Sequence, residues 1–335
     1  MWSLLRKIER QPKNNKLLYY TNAIVRELIP RNFFRGMLSK KLASIRDFDF
    51  EYIKDRVNYY NKLSSHHSLS GEAIPLAEFK VSKPSVYYFD SVEYTRYFDP
   101  QLKAKFVFGD VTTVPDEPAI VKSRPIHGDN SFSVVLKLDK VRHFTYTRDK
   151  REFIKKKNML IGRAVVKQPH RVRFYEKYFG HPLCDLGQIN KNMNPQWIKE
   201  KITLDEHLKY KFILCIEGYD VASNLKWVMS SNSLAVMPKP KYETWFMEGR
   251  LIPNYHYVEI KEDYSDLEER LNYYIEHTEE ALQIIKNANT YVAQFRNKKR
   301  EDLISLLVLE KYFYFTGNIK PVSEKPVFET SVQAS

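Results

Sequence analysis

A chain of 335 residues with 43% hydrophobic and 14% aromatic content can pack one large domain or two ordinary ones, which excludes global disorder. Its two cysteines, Cys184 and Cys215, cannot build a disulfide framework; they read as reduced core thiols in a reducing compartment, with a catalytic thiol as the alternative. The net charge of +13 is concentrated in residues 1–46, where eleven Lys/Arg stand against two acids for a net +9, so the excess belongs to an arm.

Taken in chain order, the start of the arm carries Arg6, Lys7 and Glu9, which leave no apolar core for a signal peptide. No run in the chain approaches the roughly 18 apolar residues that span a bilayer. The expected location is therefore cytoplasmic. Leu17, Leu18, Ile24, Val25, Leu28 and Ile29 then recur at near-helical spacing with Tyr19, Tyr20, Phe33 and Phe34 among them; Pro30 ends one helix and residues 31–44 form another. A basic amphipathic element with aromatics predicts attachment of residues 1–46 to the anionic surface of the inner membrane. The plain alternative is packing on the body with a solvated basic face. Nucleic acid is not expected, because charge beyond residue 46 is nearly balanced and no nucleic-acid module is present.

Residues 86–166 show short β-like runs separated by turn residues: Val86-Tyr-Tyr-Phe, Phe106-Val-Phe, Ala119-Ile-Val, Val134-Val-Leu and Met159-Leu-Ile. From Arg171 the pattern becomes helix–strand alternation. Helices are expected over 171–179, 204–208 and 221–230, and strands over 211–216, 234–237 and 255–260. Ser265-Asp-Leu-Glu268 has capping-box spacing and opens a helix running to about Phe295. A last helix covers 300–315, and the polar tail over 321–335 need not be ordered. Strands alternating with helices predict an α/β fold with a parallel, Rossmann-type sheet.

The segment 213–237, ILCIEGYDVASNLKWVMSSNSLAVM, carries the clearest alternation. In open α/β sheets ligands bind beyond the carboxyl ends of the strands, where the next helices present N–H groups. Here the strand ends at Glu217, Gly218 permits close backbone approach, and Asp220 is placed to cap a helix from Val221, with Ser223 and Asn224 in its first turn. The segment has neither a P-loop lysine nor a GxGxxG pattern, so an ordinary βαβ corner is the competing account.

Wider context points further. The run from Lys209 resembles the carboxyl-terminal half of glycosyltransferase family 90, which includes bacterial lipopolysaccharide core and capsule glycosyltransferases and eukaryotic protein O-glucosyltransferases. The resemblance rests on Lys209-Tyr210-Lys211, Gly218, Ala222-Ser223 with Lys226, Asn232-Ser233, Glu243 with Trp245, His256-Tyr257-Val258 and Asp266-Leu267. Upstream, FVFGDVTTVPDEPAIVKSRPI (106–126) resembles the family's aspartate segment, and MLIGRAVVKQPHRVRF (159–174) its Gly-Ser-Arg donor loop. The match covers roughly residues 85–300 and is nearest to the lipopolysaccharide-core branch. Asn224 departs from it, standing where eukaryotic members carry an arginine.

The resemblance implies a GT-B fold, in which two Rossmann-like domains face a cleft. The expected organisation is a basic helical arm (1–46), an acceptor-side domain (47–155), a nucleotide-sugar domain (156–298), a helix able to cross back to the first domain (299–320) and a flexible tail (321–335). It further implies inverting transfer of a hexose from a UDP-sugar to a lipopolysaccharide core sugar, without an obligatory metal. Asp110 follows Phe106-Val-Phe-Gly and matches the family's catalytic aspartate, although Gly-Asp is also a common turn pair; Asp116 and Glu117 are its rivals. For the departing diphosphate, Arg163 and Lys226 lead, with Arg171 and Arg173 behind them. Lys122, Ser123 and Arg124 lie on a strand-like run whose one side is expected to meet the donor. Glu217 is placed to hold sugar hydroxyls or to pair with a lysine. Glu243 resembles a donor-lining position, and so does Trp245, which alone reads as core. The donor set is therefore Lys122, Ser123, Arg124, Gly162, Arg163, Arg171, Glu217, Gly218, Asp220, Ser223, Asn224, Lys226 and Glu243. The nine histidines show no metal-ligand spacing, and the one DxD pair, Asp47-Phe48-Asp49, lies outside the matching region, so no metal or cofactor is expected. The rival hypothesis is a non-catalytic binding protein for an acidic polysaccharide or nucleic acid.

Overall fold

The computed structural model of the chain describes residues 16–317, 319–323 and 326–328, so residues 1–15 of the basic arm lie outside the described residues, as does most of the tail. Two compact units divide the rest: residues 16–142, 242–247 and 295 onward form one, and 143–241 with 248–294 the other. No described helix is long and apolar enough to cross a membrane.

The first unit opens with helix α1 (Lys16–Glu27), followed by the short helices Arg31–Arg35 and Leu38–Ala43, so the expected second helix of the arm is broken near Gly36. Helix α2 (Phe50–Tyr60) is capped by Asp49, whose carboxylate accepts the Tyr52 N–H at 2.9 Å. The DxD pair thus has a structural use, as a helix cap. Val86-Tyr-Tyr-Phe, expected as a strand, is instead the start of helix α3 (Ser85–Thr95). Eight of its eleven residues are buried. A helix buried nearly all round loses the 3.6-residue stripe that would have betrayed it, and a short apolar run is then ambiguous. Strands β1 (Phe106–Val107), β2 (Ala119–Val121) and, after the offset strand β3 (Ser123–Pro125), β4 (Ser133–Val135) follow; β1, β2 and β4 form a parallel sheet in that order.

The second unit is built on a five-stranded, wholly parallel sheet. In chain order its strands are β5 (Lys157–Ala164), β6 (Cys184–Gln188), β7 (Tyr210–Leu214), β8 (Leu234–Met237) and β9 (Val258–Glu259). In space they run β9–β8–β7–β5–β6. The chain therefore starts near the middle, builds outward to β6, then returns to the other side of β5, so strand order reverses between β5 and β7. Helix α4 (Pro169–Tyr178) connects β5 to β6, and helix α5 (Leu225–Met229) lies between β7 and β8. Leu160, Phe212, Leu214, Val236 and Val258 from the strands pack with Phe174, Tyr178, Leu267, Leu271 and Ile284 from the helices in one core. Each such fully buried side chain contributes about 1.5–3 kcal/mol of transfer free energy.

Two helix boundaries differ from expectation. The expected helix from Ser265 is two helices, α6 (Leu267–Glu276) and α7 (Thr278–Ala293), interrupted at His277 (ψ 63°). No capping box forms at its start: the N-cap is Asp266, with no side-chain cap bond, and its Oδ1 accepts the Lys261 N–H instead. Helix α5 begins at Leu225 rather than Val221, so Asp220 does not cap it and Ser223 precedes its first turn.

Residues 242–247 and helix α8 (Lys298–Gly317) complete the first unit. The strand Tyr242–Thr244 pairs antiparallel with β3. Trp245 stacks on Tyr60 with ring centroids 3.9 Å apart and donates its indole N–H to Glu301 at 2.6 Å, so it is core. Glu301 also pairs with Arg56 of α2 at 3.1 Å, and Tyr312 donates to the Pro118 carbonyl at 3.0 Å. α8 is buried nearly all round, a length of chain that the first unit needs for its own core. The described part of the tail docks here too: Glu310 accepts the N–H groups of Val322 and Ser323.

Candidate functional site

In an open parallel sheet the crevice for ligands lies beyond the carboxyl ends of the strands where their order reverses. In the second unit that point is between β5 and β7, and one side chain marks it. Arg171, in the first turn of α4, donates from Nη1 to the Val165 carbonyl just past β5 (2.8 Å) and from Nη2 and Nε to the Ile216 and Glu217 carbonyls just past β7 (both 2.9 Å). Three of its N–H donors thus tie together the two strand ends that form the switch point. Beside it, His170 Nε2 lies 2.9 Å from the same Glu217 carbonyl, and Tyr264 donates to the His170 carbonyl at 3.0 Å. Burial lowers the His170 pKa, and the neighbouring cations Arg171, Arg173 and Lys241 lower it further. Glu217 accepts the Lys241 N–H at 2.9 Å. Gly218 lies against the Arg171 guanidinium, where an added Cβ would sit 3.6 Å from Nη2. Arg171, Glu217 and Gly218 are therefore brought together at one place. His170 was one of nine histidines without a partner in the sequence, and only the return of β7 beside β5 gives it one.

Other expected donor residues of this unit do different work. Gly162 and Arg163 lie inside β5, not in a loop after it. A Cβ on Gly162 would meet Leu186 at 2.9 Å and Leu214 at 3.1 Å, so this glycine makes room for core side chains. Arg163 crosses Gly187 to reach Asp185 at 2.8 Å. Burial pushes the Asp185 pKa up, but hydrogen bonds from Tyr210, Lys199 and Arg163 outweigh it and hold the carboxyl at about 2. The charge of Arg163 is answered within the sheet. Lys226 is fully buried and pairs with Glu248 at 2.6 Å. Asn224, at the N-cap position of α5, turns back to donate to the Leu214 carbonyl at 2.9 Å. Asp220 is buried, and Ser223 is half-buried in the turn before α5. Of the cations expected at a diphosphate, Arg171 is the one placed at the switch point, with Arg173 exposed on the same helix.

In the first unit the expected residues also gather. Gly109 has φ +108°, a left-handed conformation that suits glycine, and it turns the chain out of β1 into Asp110. The loop is pinned by Ser123, whose Oγ accepts the Val111 N–H and donates to the Val111 carbonyl, each at 3.1 Å. Lys122, itself buried, reaches Asp110 Oδ1 at 2.5 Å, while the Asp110 side chain keeps 29% of its surface exposed. Lys122 and Ser123 thus hold the aspartate rather than the open side of a strand. Arg124 is wholly buried, pairing with Glu243 at 2.8 Å and donating to the carbonyls of Tyr59 and Ser133. Glu243 is buried as well and accepts from the Tyr59 hydroxyl. This pair fastens β3 to the strand Tyr242–Thr244. The rivals Asp116 and Glu117 both bind Lys105, at 2.9 Å. Asp139 was not foreseen: a buried carboxyl with φ +53° whose pKa rises to about 6, because burial and the charges of Asp90 and Asp110 outweigh Arg142 and Lys122. Among the described residues no three His, Cys, Asp or Glu side chains gather as a metal-binding group.

Comparison with known proteins adds an independent line. The family model described as glycosyl transferase family 90 matches residues 139–320. The O-glucosyltransferase LpsA of Dichelobacter nodosus is 45% identical over 262 residues, covering 78% of this chain and 82% of that protein. Protein O-glucosyltransferase 3 of Rattus norvegicus is 32% identical over 108 residues, 32% of this chain and 21% of its own length. The uncharacterized protein 179R of Invertebrate iridescent virus 6 is 27% identical over 142 residues, 40% of this chain and 12% of that protein.

Proposed function

The chain belongs to glycosyl transferase family 90, and from that premise we propose that it is an inverting hexosyltransferase using a UDP-sugar donor and a hydroxyl of a lipopolysaccharide inner-core sugar as acceptor. The observation that carries this reading is the Asp110–Lys122 pair, a carboxylate held by a buried lysine on a pinned loop with part of its surface open to solvent. As the acceptor oxygen attacks the anomeric carbon, Asp110 takes its proton, the bond from that carbon to the diphosphate oxygen breaks, and UDP leaves with the electron pair. Lys122 and Ser123 fix the direction from which the carboxylate acts. The leaving diphosphate gains charge, and Arg171 and Arg173 with the amino-terminal end of α4 are the groups assigned to meet it. Lys226 and Arg163 are not assigned that role in this reading, because each is paired with a carboxylate of its own unit, the buried Glu248 and the half-buried Asp185.

The proposal includes a GT-B arrangement and stabilisation of the diphosphate by protein cations without a metal. The acceptor, a phosphate-bearing lipid-anchored glycan, fits a site on the cytoplasmic face of the inner membrane with residues 1–46 against the anionic leaflet. Two of the three relatives are named as O-glucosyltransferases, so UDP-glucose heads the panel of donors. UDP release should be measured across UDP-sugars with truncated core oligosaccharides, with and without EDTA. The reading predicts acceptor-dependent release with one hexose, unchanged by EDTA. If no UDP-sugar is turned over and none raises the melting temperature, the UDP-sugar reading fails and the binding-protein alternative gains.

A further inference from the structure

Helix α1 is turned inside out relative to an ordinary surface helix, and we propose that its outward apolar face, with Phe33 beyond it, is a docking surface for an anionic phospholipid bilayer. A helix packed on a globular body normally buries its apolar stripe and exposes its charges. Here several of the polar side chains face the body. Tyr19 donates to Asp90 at 2.7 Å, Arg26 pairs with Glu93 at 2.5 Å, and Glu27 accepts from Arg96 and Tyr88. Tyr20 meets Phe89 edge-on, and Ala23 is the buried position between them. The opposite arc carries Ile24 and Val25, 54% and 51% exposed, and the chain continues past the helix end into Leu28, 78% exposed, and exposed Ile29 and Phe33. That arc has no charged residue at all. Contiguous exposed aliphatic side chains of this kind mark an interaction surface.

Charge selects the occupant. The arm from residue 1 to 46 is net +9, and its two acids are outnumbered throughout. Glu27, the only acid of α1, keeps a third of its side chain exposed but spends its charge on Arg96 at the edge of the body, away from the apolar arc. Lys16, Lys40 and other lysines of the arm are exposed and supply positive charge on the same segment. A second copy of this chain would bring the same positive arm and be repelled, whereas anionic headgroups attract it. Twelve residues are too few to cross a bilayer, which takes about 20, so the helix lies in the interface plane with aliphatic side chains among the acyl chains. This deepens the attachment part of the proposed function and rests on it. It changes the agent, because two of the arm's arginines, Arg26 and Arg35, are already paired with Glu93 and Asp99 and the aliphatic face supplies the binding energy.

The test is co-sedimentation of the full chain with vesicles of equal parts phosphatidylethanolamine and phosphatidylglycerol. Wild type should pellet with the vesicles, and Ile24→Glu with Leu28→Glu should weaken partition by about a hundredfold or more. Because both side chains are exposed, the melting temperature and sugar transfer to a water-soluble acceptor fragment should stay unchanged. Such transfer persisting while vesicle binding is lost separates this proposal from the catalytic reading. As a milder variant, Leu28→Trp should show a blue-shifted difference emission on adding the same vesicles. Wild type that fails to pellet, double-substituted protein that binds as tightly as wild type, or a solution dimer that the double substitution splits would each overturn the proposal.

Discussion

Lys122–Asp110 and Lys226–Glu248 are ion pairs of almost the same length, 2.5 and 2.6 Å, and sequence alone offers no reason to rank them. In the first, the lysine is buried and the carboxylate reaches solvent. In the second, both partners are buried to within 1%. A buried lysine paired with a buried carboxylate is neutral overall and closed to ligands, so it can serve only the fold. A buried lysine paired with a half-open carboxylate orients a group that can still meet a substrate. The difference teaches that a charged side chain in a motif is open to a ligand only where one member of its pair still reaches solvent.

This contrast can be broken at several points. The largest effect on stability is expected from Glu248→Gln, which leaves Lys226 buried without its counter-charge and should cost about 3–5 kcal/mol in urea unfolding. A wild-type midpoint would mean that the pair is not closed. Next, Arg171→Ala should weaken UDP binding by about 10- to 100-fold, the range of one or two charged hydrogen bonds, as read by titration calorimetry. Unchanged affinity would reduce Arg171 to a strap between strand ends. Lys122→Met should cost only about 1–2 kcal/mol of stability, because Asp110 can turn to water, yet it should lower kcat by much more than it raises KM. The smallest effect is expected from Asp139→Asn. A carboxyl raised from 3.8 to about 6 costs stability when ionised, so the variant should be the more stable protein above pH 6 and lose that advantage progressively as pH falls from about 6 to about 4. Asparagine also accepts the left-handed backbone at this position. An advantage independent of pH would place the effect in the backbone alone.

Much of the second unit was legible in the sequence because its strands are separate apolar runs between turn residues, and strands near 157–164, 210–214 and 234–237 follow directly from that pattern. Strand β6, Cys-Asp-Leu-Gly-Gln, was not legible: its central glycine and polar residues hide the alternation, and without β6 the strand order and its switch point cannot be drawn. Helix α3 was misread because aromatic and β-branched residues favour strands until burial on all sides overrides them. The site residues were readable by type but not by partner. Arg124 and Glu243 lie 119 positions apart, and nothing local announces that each consumes the other's charge. Conversely, Ser123 was readable as part of a site but not as the hydroxyl that pins Val111 and so aims its neighbour.

The central claim is that the Asp110 carboxylate accepts the acceptor's proton. It is tested most directly by Asp110→Asn, an almost isosteric change at a partly solvated side chain, with initial rates of sugar transfer and the UDP-induced shift in Tm measured on the same preparation. The account predicts a loss of kcat of about a thousandfold with the UDP shift intact, whereas transfer within about twofold of wild type would contradict it.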